Sequence, residues 1–122
     1  MFEVKVLGGF ESAHYLRGYR GKCENMHGHN YKIEAVVAAK KLNSIGLAVD
    51  FGDIKTALKE ITEALDHKVL DELAPFKKIN PSAENIAKHI YSELKKKVKL
   101  KGVRAARVSV WETERSCATY FE

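Results

Sequence analysis

Phe2-Glu3-Val4-Lys5-Val6-Leu7-Gly8-Gly9-Phe10-Glu11-Ser12-Ala13-His14 (residues 2–14) opens the chain and sets the reading of its fold. Phe2, Val4 and Val6 alternate with Glu3 and Lys5; beyond Gly8-Gly9, Phe10, Ser12 and His14 alternate with Glu11 and Ala13. A period of two is that of a strand with one face buried, and the paired glycines suggest two strand pieces bent at that point. The same alternation differs from the basic-then-apolar order of a signal peptide, so cytoplasmic residence is the expectation.

Working outward, Arg17 to Asn30 holds Gly18, Gly21 and Gly28 among charged residues and reads as an irregular loop into a second strand, from about His29 to Ala39. Lys40 to Val49 is a connection, and Asp50 stands where a helix N-cap would be. Ile54, Leu58, Ile61 and Leu65 then recur at helical spacing, with Lys55, Lys59, Glu60 and Glu63 on the wet side. After Pro75 and Pro81, Ser82 can cap a second helix with Ile86, Ile90, Leu94 and Val98 on its apolar face, ending near Gly102. Val108 and Val110 mark a third strand, and Thr119 to Phe121 a short closing one. The order β-β-α-α-β-β predicts an α+β fold over residues 1–122, a four-stranded antiparallel sheet with both helices on one face. The other face would stay partly apolar and the sheet edges open, which predicts a homo-oligomer.

The chain has 122 residues, 45% hydrophobic and 30% charged, with no apolar run long enough to span a membrane. Its formal charge of +5 would suit nucleic acid, an anionic membrane surface or a phosphorylated small molecule. Cys23 and Cys117 read as reduced thiols in the absence of an export signal.

The densest chemistry lies in Cys23-Glu24-Asn25-Met26-His27-Gly28-His29-Asn30-Tyr31, with His14 upstream. If the second strand begins at or before His27, the period of two puts His27 and His29 on one face, and His14 can approach from the neighbouring strand. Three imidazoles converging from two strands suit zinc, whose catalytic sites keep a fourth position open. A lone His-x-His is more often a pair of surface or hydrogen-bonded histidines. Cys23 as a fourth ligand would give a closed, structural site, which spacing does not exclude.

Other candidates stand alone. Asp66-His67 at the end of the first helix fits a cation favoured by the helix dipole. Glu112, in line with inward-facing Val108 and Val110, needs a partner, which could be a ligand or an inter-strand cation. Glu84 suits the first turn of its helix without any function. Cys117 reads as a small buried side chain. Lys95, Lys96, Lys97, Lys99 and Lys101 form a basic helix end without the aromatic residues that single-strand platforms use. A zinc-stapled RNA-binding module remains the competing reading of another class, suggested by the net positive charge.

Taken together, Phe10-Glu11-Ser12-Ala13-His14, Cys23 through Tyr31, Val49-Asp50-Phe51, Leu65-Asp66-His67, Pro81-Ser82-Ala83-Glu84-Asn85 and Trp111-Glu112-Thr113 resemble, in order, segments of the 6-pyruvoyl- and 6-carboxytetrahydropterin synthase family. The resemblance implies the tunnelling fold, trimers paired into hexamers, and sites at subunit interfaces. It implies Zn2+ on His14, His27 and His29, with Cys23 as the proton-transfer group and His67 as a relay with Asp66 or Glu112. Glu112 would anchor the pterin, and Ser82 and Glu84 are further candidates for substrate contact. The short spacing between Cys23 and His27 favours the carboxy branch over the pyruvoyl branch. The implied substrate is a pterin triphosphate, 7,8-dihydroneopterin triphosphate, in a step toward 7-deazaguanine nucleosides such as queuosine, with no nucleic-acid or membrane partner. Asp71 departs from the family's frequent Asn after Asp-His, and no glycine-rich phosphate loop is visible.

Overall fold

The computed structural model describes residues 1–122. Four strands, β1 (Phe2–His14), β2 (His27–Ala39), β3 (Val103–Thr113) and β4 (Ser116–Phe121), form one antiparallel sheet in the order β1-β2-β3-β4. Helices α1 (Phe51–Glu63) and α2 (Ala83–Lys97) lie between β2 and β3 in sequence. No helix is long and apolar enough to cross a membrane.

The expected bend at Gly8-Gly9 is absent. β1 pairs with β2 without a register shift from Phe2↔Ala39 to His14↔His27. The glycines serve close approach instead: a Cβ on Gly9 would stand 2.7 Å from the Tyr31 carbonyl oxygen, and one on Gly8 2.8 Å from Leu58 Cδ2. They let β2 and α1 pack tightly against a continuous strand.

Both helices start as their sequences suggest. Asp50 accepts a hydrogen bond from Gly52 N–H at 2.8 Å, and Ser82 Oγ accepts one from Asn85 N–H at 3.2 Å; an N-cap of this kind contributes about 1 kcal/mol. α1 ends at Glu63 and α2 at Lys97, five residues short of Gly102. The chain must turn there into β3, and Gly102 supplies a φ of 77° in the left-handed region. Ile54, Leu58 and Ile61 of α1 and Ile86, Ile90 and Leu94 of α2 are buried against Val6, Phe10, Ile33, Val108 and Val110, so both helices cover one face of the sheet. Each buried Ile or Leu contributes about 1.5–3 kcal/mol of transfer free energy.

The uncovered face is more polar than expected. Val36, Ala38 and Ala106 form a small apolar patch there, and the Arg107 guanidinium reaches Glu3 at 2.6 and 2.9 Å. Lys5 and Lys32 flank Glu34 at 3.6 and 3.7 Å. Cys117, expected to be buried, is exposed on β4, a short strand at the edge of the sheet.

One edge of the sheet is partly sealed. The segment after α1 docks along β1: Glu11 N–H donates to Asp66 Oδ1 at 2.8 Å, His67 N–H to Glu11 O at 2.6 Å, and Ala13 N–H to Lys68 O at 2.9 Å. The Ser12 hydroxyl donates to Leu65 O. By the strand's period of two, the outward N–H groups of Glu3, Lys5, Leu7 and Gly9 remain open.

Candidate metal centre and its surroundings

His14 ends β1 directly opposite His27 at the start of β2, and His29 lies across from Ser12. All three project from the helix-covered face at the end of the sheet. Their ring centroids are 4.5–5.1 Å apart, and their candidate ligand nitrogens lie within 4.8 Å of one another.

Hydrogen bonding fixes the tautomer of two of them. His14 Nδ1–H donates to Pro81 O at 2.7 Å, and His27 Nδ1–H to Asn25 O at 2.7 Å. A carbonyl only accepts, so in both rings Nε2 is left with a lone pair, the arrangement second-shell carbonyls impose on metal-binding histidines. His14 is 1% exposed, and its Nε2, like that of His29, is buried with no hydrogen-bond partner. An orphaned buried acceptor costs about 1–3 kcal/mol. A cation removes that cost at His14, and at His29 in the tautomer that leaves its Nε2 lone pair free, so the donor set fits a metal ion. Burial holds the His29 pKa below its ordinary value, against the opposing pull of Glu112, and so favours the neutral ligand form.

Glu112 stands beside this group with carboxylate oxygens 3.9 Å from His14 Nε2 and His29 Nε2, too far for hydrogen bonds. β3 slips register against β4 between Trp111 and Thr113, which makes Glu112 the unpaired residue of a bulge. The open question over its partner resolves toward the histidine cluster rather than a Lys or Arg. A cavity of about 940 Å³ opens alongside, lined among others by His29, Asn30, Lys32, Trp111, Glu112 and Thr113. Asn30 and Trp111 lie within the segments that resemble the family but were given no role, and Lys32 lies in none of them. Lys32 faces Trp111 across the β2–β3 pair, with its ammonium 5.5 Å from the ring centroid. The alternation that puts His29 on one face puts Asn30 and Lys32 on the other.

The remaining candidates are dispersed. Cys23 is half-buried in a 3-10 turn (Lys22–Glu24), its carbonyl accepting from Leu16 N–H at 2.8 Å, and lies outside the histidine group. His67 does not terminate α1, so the helix dipole does not explain it. It sits four residues past Glu63 with φ 53°, held by its bond to Glu11 O. Its Nδ1–H donates to Asp66 Oδ2 at 2.8 Å, and the exposed ring has Nε2 turned toward Glu11 Oε2 at 3.9 Å. The Asp66 carboxylate raises the His67 pKa, while the Glu11 N–H and then the imidazole lower that of Asp66. Ser82 is occupied in capping α2, Glu84 is exposed on its first turn, and neither lines the cavity. Asp71 is buried and turned to Tyr15, whose N–H it accepts at 3.0 Å. It plays no part around His67.

The sequence model of the 6-pyruvoyl tetrahydropterin synthase family matches residues 3–122. The chain belongs to that family. An Archaeoglobus fulgidus protein provisionally named 6-carboxy-5,6,7,8-tetrahydropterin synthase is 35% identical over 117 residues, with 93% of each chain covered. The 6-carboxy-5,6,7,8-tetrahydropterin synthase of Haemophilus influenzae is 29% identical over 144 residues, covering 100% of both. Human 6-pyruvoyl tetrahydrobiopterin synthase is 36% identical over 104 residues, 82% of this chain and 70% of its own. The structure of Caenorhabditis elegans 6-pyruvoyl tetrahydropterin synthase superposes with a TM-score of 0.90 over 99% of this chain and 95% of its own, at 24% identity. At that identity the likeness speaks for the fold.

Proposed function

We propose that this family member is a zinc-dependent 6-carboxy-5,6,7,8-tetrahydropterin synthase. It would convert 7,8-dihydroneopterin triphosphate and water to 6-carboxytetrahydropterin, acetaldehyde and triphosphate. The observation that carries the chemistry is the group of three histidines, with Nε2 lone pairs on His14 and His27 fixed by main-chain acceptors, beside a cavity and a carboxylate. The names of several relatives support the carboxy product, as does the short Cys23–His27 spacing. A zinc ion on these nitrogens supplies Lewis acidity toward a substrate oxygen.

The chain's own residues divide the remaining work. Glu112 accepts hydrogen bonds from the pterin ring's N–H groups and so orients the substrate beside the histidines. Cys23 takes the proton from the side-chain carbon. The Asp66–His67 pair, in which the carboxylate raises the imidazole's pKa, relays it onward. Ser82 and Glu84 remain candidates for substrate contact across a subunit boundary. Cytoplasmic residence and a place in queuosine-type biosynthesis belong to the same reading. Incubating the zinc-loaded protein with 7,8-dihydroneopterin triphosphate and weighing the products by mass spectrometry tests it. Pyruvoyltetrahydropterin would move the chain to the other branch, and no turnover would remove the enzymatic reading.

Assembly is part of this proposal. Along one chain, the Asp66–His67 pair is exposed on the outer edge of β1, and Ser82 and Glu84 lie away from the cavity. The open N–H groups of β1 and the outer edge of β4 invite strand pairing between copies. Sedimentation at micromolar concentration is expected to give a homohexamer. A monomer with full activity would contradict the interface site.

A further inference from the structure

Three ties hold the loop that carries Cys23: Tyr15 N–H donates to Asp71 Oδ1 at 3.0 Å, Asn25 O accepts from His27 Nδ1–H at 2.7 Å, and the most extensive set of bonds comes from Arg17. Arg17 lies three residues past His14, and its guanidinium donates to Phe76 O at 2.6 Å, Lys77 O at 2.9 Å and Ile79 O at 2.7 Å. Its Nε–H donates to Asn80 Oδ1 at 3.2 Å, and its main-chain N–H reaches the same oxygen at 2.9 Å. Asn80 Nδ2 returns a bond to Arg17 O at 2.9 Å. The guanidinium also lies 3.8 Å from the buried Asp71 carboxylate.

What this knot joins gives it meaning. Leu16, next to Arg17, donates its N–H to the carbonyl of Cys23 at 2.8 Å. Pro81, next to Asn80, offers the carbonyl that fixes His14 at 2.7 Å. One arginine therefore stands between the strap that holds the thiol and the strap that orients a histidine of the metal-binding group. The loop's remaining backbone bonds, Glu24 N–H to Gly21 O and Asn25 N–H to Lys22 O, are internal to it.

We propose that Arg17 is a positioning residue for the reaction: its fork onto residues 76–80 holds the Cys23 loop in register with the histidine cluster. This rests on the reading of Cys23 as the proton-transfer group. Only a planar guanidinium presents enough N–H donors in fixed directions for such a set of acceptors; a lysine keeps the charge and loses the fork. Of the residues in the knot only Phe76 belongs to the hydrophobic core, and it contributes its carbonyl and not its ring, so loss of the knot should release the loop and leave the fold.

The test compares Arg17→Ala and Arg17→Lys in a Cys117→Ser background, so that alkylation reports Cys23 alone. Expected for both, in zinc-loaded protein, are metal content like the parent's and a kcat about 10- to 100-fold lower, as for a small misplacement of a catalytic group. KM should stay within about threefold, and Cys23 should alkylate several-fold faster with iodoacetamide. Parent-like kcat and alkylation in Arg17→Ala would overturn the proposal, as would full rescue by lysine; should the alanine variant fail to fold, the lysine variant decides. If Cys23→Ala proves active while the Arg17 variants still alkylate faster, the reading of Cys23 fails and the latch itself stands.

Discussion

Replacing Cys23 with alanine is expected to lower turnover of 7,8-dihydroneopterin triphosphate by about 10²- to 10⁴-fold, the usual effect of removing a general acid or base. Metal content and thermal unfolding should stay near the parent's. The separation of the two readouts follows from the geometry. The thiol lies outside the group of three histidines, and its half-buried turn belongs to a loop rather than to the core. A fourth protein ligand would also fill the position a substrate oxygen needs. Activity within a few-fold of the parent would remove Cys23 from the chemistry. Loss of zinc with loss of activity would instead make it a ligand of a closed site.

The second large effect is expected at the histidines. His14→Ala, His27→Ala and His29→Ala should each reduce bound zinc from about one per subunit to a small fraction of that, because three ligands are the minimum of the usual protein set. The three differ in a second respect. His14 is 1% exposed and carries the bond to Pro81 O, so its removal leaves a cavity and an unpaired carbonyl. It should lower stability by a further ~1–3 kcal/mol. His27 is partly exposed and bonds only within its own loop, so His27→Ala should lose metal with little change in the unfolding of the metal-free protein. Metal analysis and thermal unfolding of the chelated proteins separate these outcomes. Full zinc occupancy in all three variants would falsify the assignment.

Much of this was legible along the chain, for reasons that differ by residue. Ile54, Leu58 and Ile61, or Ile86, Ile90 and Leu94, announce helices because burial of one face imposes its period on the sequence. His14, His27 and His29 were legible as a group because strand alternation leaves few ways to arrange them. His67 was misplaced because its position depends on docking against Glu11, a contact spanning 56 residues with no local signature. Glu112 reached its place through a bulge that the run Val108, Val110, Glu112 does not announce. Cys117 is exposed because an edge strand leaves much of itself uncovered. Arg17 was invisible for the most general reason: its partners are mainly carbonyls, and every residue has one.

The three clustered histidines also bear on the order in which the chain folds. All three belong to one hairpin, with residues 15–26 as its closing loop. An ion bound there would clip a short loop, whose closure is entropically modest, while the helices are still undocked. Yet the carbonyl that orients His14 comes from Pro81, 67 residues away. Capture can thus begin on a nascent hairpin, but the imidazole acquires its final orientation only when the start of α2 arrives. Tight retention of an ion would therefore report that the segment leading into α2 has docked.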